Sequence, residues 1–277
     1  RDAGVIVVAS KAGDTDPPWL RAGLAQAERV VLWSHDDSLN ITQALQIANE
    51  LAGRRDPLAP PLQMWVHVHD PFLRSQVETR LAAQAAAAPV ETRLFSSAQM
   101  SARRLLRDSP ARRHRTVGER GVAPAAWVLV GDTPLAEALL LQIIRADLSA
   151  EDESTHVLLV SADAAGQLQR LLARWPGLQE VARIETLALQ PEQASLAAQS
   201  VADRFDATPV VCFCLESEMA NIACAMVWVD TCAGAGQHVP PMVIRQLDGR
   251  PPLPESMLGA VNVQVCGTVD EVVAEIV

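Results

Sequence analysis

Short runs rich in Val, Leu and Trp alternate along this chain with longer stretches in which Ala, Leu and Arg recur at helical spacing. Short apolar runs bounded by turn residues read as buried strands, and the stretches between them as crossover helices over a parallel sheet. In the first part the strand-like runs are Val5 to Ala9, Arg29 to Ser34 and Gln63 to His69, with helical patterns beginning near Pro17, Ser38 and Pro71. In the second part they are Trp127 to Val130, His156 to Val160, Val181 to Leu189, Pro209 to Leu215, Met242 to Leu247 and Asn262 to Cys266. Six strands complete a doubly wound sheet. Between the two parts, Phe95 to Ala126 is amphipathic at first and then basic, and ends in Gly118, Gly121 and Pro124. The predicted fold class is α/β, with two Rossmann-like doubly wound parallel-sheet domains: 1–94, a linker with an amphipathic helix at 95–126, and 127–277. The first domain is expected to lack, in this chain, the N-terminal β-α-β that carries the phosphate-binding turn in such folds.

One segment occurs twice. Arg29 to Asn49 reads RVVLWSHDDSLNITQALQIAN, and Val210 to Asp230 reads VVCFCLESEMANIACAMVWVD. In each copy an apolar run ends in a polar turn, an acidic residue stands three places before an Asn-Ile pair, and a small-residue helix follows. A repeat on that scale predicts two copies of one domain.

Composition narrows the function classes. The 277 residues carry 33 acidic and 23 basic side chains, a formal charge of -10. That balance argues against a nucleic-acid partner, whose phosphates require a basic face. Five cysteines without a C-x-x-C pair fit a reducing compartment and apolar packing. Cys212 and Cys214 fall in one strand-like run, on one face by alternation, which leaves a metal site or buried filler as readings. No apolar stretch approaches the roughly 18 residues that span a bilayer. The abrupt starts and stops at Arg1 and Val277 lead us to expect a piece of a longer protein.

The strongest nucleotide-site pattern is WVLVGDTPLAEALLLQII, from Trp127 to Ile144: strand, turn, helix. Laid against G-x-G-x-x-G, its glycine positions hold Gly131, Thr133 and Ala136. Gly131 permits a tight turn, whereas Thr133 puts a side chain where backbone should approach a pyrophosphate. Asp163 ends the next strand, at the place of a ribose-binding acid. In the first domain Asp14, Asp36 and Asp37, with Asn40, stand at strand C-terminal ends, where open parallel sheets bind ligands. The competing reading is that Asp14 and Asp16 make turns and that Ser38 or Asp37 caps the next helix. His67 and His69, beside Asp70, share a face at period two, but no third metal ligand is identifiable, so the metal remains unknown. There is no G-x-S-x-G, H-E-x-x-H or Walker-type G-K-[ST], and the reading is of a protein that is not an enzyme.

These residues carry a resemblance. Strand-GDTD, then strand-DD-x-x-N-I, then strand-HVHDP is similar to the RCK family, the regulator-of-potassium-conductance or Trk-type NAD-binding domains of prokaryotic channels and transporters. The second part repeats the pattern from GDTPLAEA through LESEMAN to NVQVCGTVDEV, with Thr133 and Ala136 in place of glycines and Glu216, Ser217, Glu218 in place of an acidic pair. The resemblance implies a tandem pair whose first domain binds NAD(H) or another adenine nucleotide, with Asp14 and Asp36 near the ligand, and whose second domain is a silent partner. It also implies a membrane pore or transporter as partner, self-association as a dimer or ring, and a place on the cytoplasmic side of the membrane. The expected function is a ligand-sensing regulatory module that gates a potassium channel or transporter. Two other classes stand beside it: an NAD(P)-dependent oxidoreductase using the Gly131 turn, and an oligomerisation scaffold with degenerate nucleotide sites. The oxidoreductase needs a proton-transfer residue, and the chain has no Tyr.

Overall fold

A computed structural model describes residues 23–52, 60–85, 90–108, 117–118, 121–122, 126–147, 155–205, 208–246 and 263–267. The predicted strand at Val5 to Ala9, the helix near Pro17, and Asp14 and Asp16 lie outside them. The chain divides into two compact units, Arg1–Ser96 and Ser97–Val277.

In the first unit, β1 (Arg29–Leu32), α1 (Asp37–Leu51), β2 (Leu62–His67), α2 (Pro71–Ala85) and β3 (Val90–Phe95) follow in order, and the strands form a parallel sheet β1-β2-β3. The register pairs Arg29 with Gln63 and Leu62 with Val90. Buried Leu62, Met64 and Val66 of β2 meet Ala44, Ile47 and Leu51 of α1 and Val77 and Leu81 of α2. Burial of about 25 cal/mol per Å2 of apolar surface drives that packing. Strand β3 was not among the sequence-predicted strands. Its centre, Glu91-Thr92-Arg93, is polar, because only its ends Val90 and Phe95 are buried. Arg93 pairs with Glu91 and lies over the Trp65 ring at 5.4 Å.

The second unit opens with α3 (Ser97–Asp108) and a two-stranded antiparallel ribbon, β4 (Val117–Gly118) and β5 (Gly121–Val122). Then come β6 (Ala126–Val130), α4 (Pro134–Asp147), β7 (Thr155–Ser161), α5 (Ala164–Arg174), α6 (Leu178–Val181), β8 (Ala182–Ala188), α7 (Ala194–Ala202), β9 (Val210–Phe213), α8 (Glu218–Gly234), β10 (Met242–Gln246) and β11 (Val263–Gly267). All six predicted strands are present within a residue or two of their expected ends. They form one parallel sheet in the order β11-β10-β9-β6-β7-β8, the doubly wound order of a Rossmann fold.

Alternation along each strand feeds two cores. Trp127, Leu129, Val157, Leu159, Cys212 and Cys214 face α3, α4 and α5, while Val128, Val130, Leu158, Val160, Val211 and Phe213 face α7 and α8. The amphipathic segment read as linker is α3. Its Ala98, Ala102, Leu105 and Leu106 are buried in the same core as Leu139, Leu140 and Ile143 of α4.

The repeat is structural. Asn40 and Asn221 are both completely buried. The Asn40 side chain accepts from the Ser34 N–H at 2.9 Å and donates to the Ser34 carbonyl at 2.9 Å and the His67 carbonyl at 3.0 Å. Asn221 accepts from the Leu215 N–H at 2.8 Å and donates to the Leu215 carbonyl at 3.0 Å and the Arg245 carbonyl at 3.1 Å. Each amide therefore clasps the end of its own strand to the next strand. By this correspondence β1-β2 of the first unit matches β9-β10 of the second.

Candidate functional site

Where the strand order of an open parallel sheet reverses, the helices leave to opposite faces and a crevice opens beyond the strand ends. In the second unit that point lies between β6 and β9, which pair through Trp127 with Val210 and Val130 with Phe213. A cleft of about 290 Å3 sits there. Its floor is Val130, Val160 and Phe213, its walls Leu189, Pro191, Ala194, Ala197, Leu215 and Trp228, and its rim Asp132, Ser161, Asp163 and Gln190.

The turn after β6 is built by three contacts. Gly131 has φ +119°, and its N–H donates to the Val160 carbonyl at 2.8 Å. A Cβ at Gly131 would lie 2.9 Å from the carbonyl carbon and oxygen of Cys214, so only glycine fits both the backbone and the space. Thr133 is buried, and its hydroxyl donates to the Cys214 carbonyl at 2.6 Å while accepting from Ala136 N–H at 3.4 Å. Its side chain thus stitches β6 to β9 and partly caps α4. Pro134, the first residue of α4, has no N–H to offer.

The second rim follows β7. Ser161 donates to the Gln167 side chain at 3.0 Å, and Gln167 donates to the Gly131 carbonyl at 3.3 Å. Asp163 is the N-cap of α5, accepting from the Gly166 N–H at 3.1 Å. Its other oxygen pairs with Arg170 at 3.1 Å, and Arg170 also pairs with Asp132. These pairs hold the Arg170 guanidinium in its charged form: the Asp163 hydrogen bond and the Asp132 and Asp163 charges raise its pKa.

Gly131, Thr133 and Asp163 thus meet in one place, although Thr133 faces Cys214 and both oxygens of Asp163 are engaged by its own helix, through the Gly166 N–H and the Arg170 guanidinium. Asp132, Arg170, Gln167 and Trp228 were not singled out from the sequence. Asp132 is the middle residue of the GDT turn, and Arg170 follows Asp163 by seven positions, two turns of one helix; those spacings were the available signals.

The first unit's candidates are engaged differently. Asp36 is the N-cap of α1, accepting from Ser38 and Leu39 N–H groups at 2.9 and 3.2 Å. Asp37 receives the His69 and Asp70 N–H groups at 2.9 Å. Asp70 caps α2 through Phe72 N–H at 2.8 Å. Burial and the neighbouring His69 push the His67 imidazole below its ordinary pKa, and its Nδ1 lies 3.3 Å from the Ser34 carbonyl. Cys212 and Cys214 do share a face, inside the core, where burial pushes the Cys214 thiol up to about 12. Among the described residues no group of three His, Cys, Asp or Glu side chains is placed to hold a metal. No helix of the described residues is long and apolar enough to cross a membrane.

Strand order, helix placement and the crevice at the order reversal define the second unit as a Rossmann-type α/β unit. No protein-family model matches the chain, and no curated protein matches it by sequence. Among solved structures it is similar to apo D-lactate dehydrogenase from Escherichia coli, at 11% identity and a TM-score of 0.33 over 90% of this chain and 91% of that one.

Proposed function

We propose that the chain is a ligand-sensing regulatory module whose second unit takes an adenine-type ligand, a nucleoside or its nucleotide, in the cleft at the β6/β9 crossing. The observation that carries this reading is the position and lining of that cleft. It lies at the order reversal, has apolar walls for a flat base, and has Asp163 and Ser161 on the side where a ribose edge would sit. Its volume of about 290 Å3 is at the low end for small-molecule sites, which favours one nucleoside over a whole dinucleotide.

Such a ligand would touch the turn before α5 and side chains of α7 and α8 at once. It would therefore bind one spacing of these helices better than another, which is the requirement for a signal. In keeping with the RCK-type resemblance, the receiver of that signal is a membrane pore or transporter, and the module works as a dimer or ring. Native mass spectrometry of the purified chain, followed by calorimetry with adenosine, AMP, ATP and NAD(H), tests the reading. A retained or titratable adenine compound whose binding is lost on filling the cleft by Ala197→Trp supports it. Failure of all four compounds to bind overturns it.

A further inference from the structure

We infer that the cleft takes the unphosphorylated nucleoside and that Asp132 is the residue that turns phosphorylated forms away. This rests on the reading of the cleft as an adenine-ligand site and adds the charge class of the ligand.

The first ground is the charge of the lining. Its residues include two carboxylates, Asp132 and Asp163, and no Lys, Arg or His. The loops that supply Pro191 and Leu215 continue into Glu192 and Glu216, both exposed. Arg170 is shared between Asp132 and Asp163, so that trio carries a net charge of about -1 at neutral pH. Arg245, on β10, donates to the Leu215 carbonyl at 2.9 Å.

The second ground is the helix end. A phosphate in a dinucleotide fold is held by the free N–H groups at the start of the helix after the first strand, aided by the helix dipole. Here that end belongs to α4. Pro134 contributes no N–H, the Ala136 N–H is turned to the Thr133 hydroxyl at 3.4 Å, and Asp132, whose carboxylate pairs with Arg170, precedes them in the chain. A phosphate placed there would meet a fixed negative charge and a partly capped helix. A neutral ribose meets neither difficulty, because Asp163 keeps lone pairs free for a hydroxyl after accepting from Gly166 and Arg170.

The test is calorimetric titration of the intact chain with adenosine and AMP at low and high salt, on wild type and on Asp132→Asn and Arg170→Gln, with thermal melts confirming that both variants fold. The expected result is adenosine binding about tenfold tighter than AMP, equivalent to about 1.4 kcal/mol. That ratio should shrink in high salt as the charges are screened. It should close to within about threefold in Asp132→Asn, and widen in Arg170→Gln, where both carboxylates lose their counter-ion. AMP binding as tightly as adenosine overturns the inference and leaves the cleft reading standing. So does a ratio that neither variant nor salt alters. If neither compound binds, the inference fails, and the cleft reading fails with it only if ATP and NAD(H) do not bind either.

Discussion

Asn40 and Asn221 show how one side chain can be decisive without touching a ligand. Each satisfies three backbone groups at a strand end, in a site with no access for water. Asn221→Ala should cost about 2–4 kcal/mol, because buried carbonyl and N–H groups lose their partners. Urea unfolding of the two proteins measures it, and a loss under about 0.5 kcal/mol would show the clasp to be redundant. Gly131→Ala is expected to destabilise by about 2–3 kcal/mol, since the new methyl meets the Cys214 carbonyl in a backbone region that L-residues avoid. His67 supplies a pH dependence. Its folded-state pKa lies below the ordinary 6.5, so the folded form prefers the neutral ring. That contribution is complete above pH 6.5 and is lost as pH falls from there through the folded-state value. Stability should fall on acidification below pH 6.5, and fall less in His67→Gln. Equal slopes for the two proteins would assign the dependence to other groups. His156, whose pKa is also lowered by burial, keeps part of it in the variant.

At the scale of elements, what was legible in the sequence followed burial. Strands β6, β7 and β9 of the second unit are largely buried on both faces, read as continuous apolar runs, and were placed closely for that reason. Strand β3 escaped because Glu91, Thr92 and Arg93 leave an apolar signal only at its ends. Helix α3 was legible as an amphipathic helix, but its destination was not: Arg103, Arg104 and Arg107 dominate its composition, while Ala102 and Leu105 decide where it packs. Leu105→Ala should destabilise the second unit by about 2–4 kcal/mol, the cost of a cavity in a packed core. A change confined to surface values would return α3 to the role of a linker. The candidate site divides along similar lines. Gly131 and Asp163 were visible through strand-turn-helix order, whereas the Arg170 bridge joins two carboxylates across separate β-α turns, a juxtaposition no local pattern displays. The acidic pair of the first unit was visible too, but not its partners, the amides of Ser38, Leu39, His69 and Asp70.

For the molecule as a whole, every lining residue of the cleft lies between Val130 and Trp228, inside the second unit. A fragment covering Ser97–Val277 should therefore bind the ligand with the affinity of the intact chain; a loss of more than about tenfold, 1.4 kcal/mol, would mean that the first unit shapes the site. Gly131 and Thr133 have a further consequence, for the order in which the protein is made. Both are fitted against the backbone of Cys214, and Thr133 stands 81 positions before that residue. Chains emerge from the ribosome with the N-terminal end first, and contacts of large sequence separation close late. The turn after β6 thus leaves the exit tunnel long before the strand that completes it, and until β9 is synthesised the nascent protein has only half of the crevice.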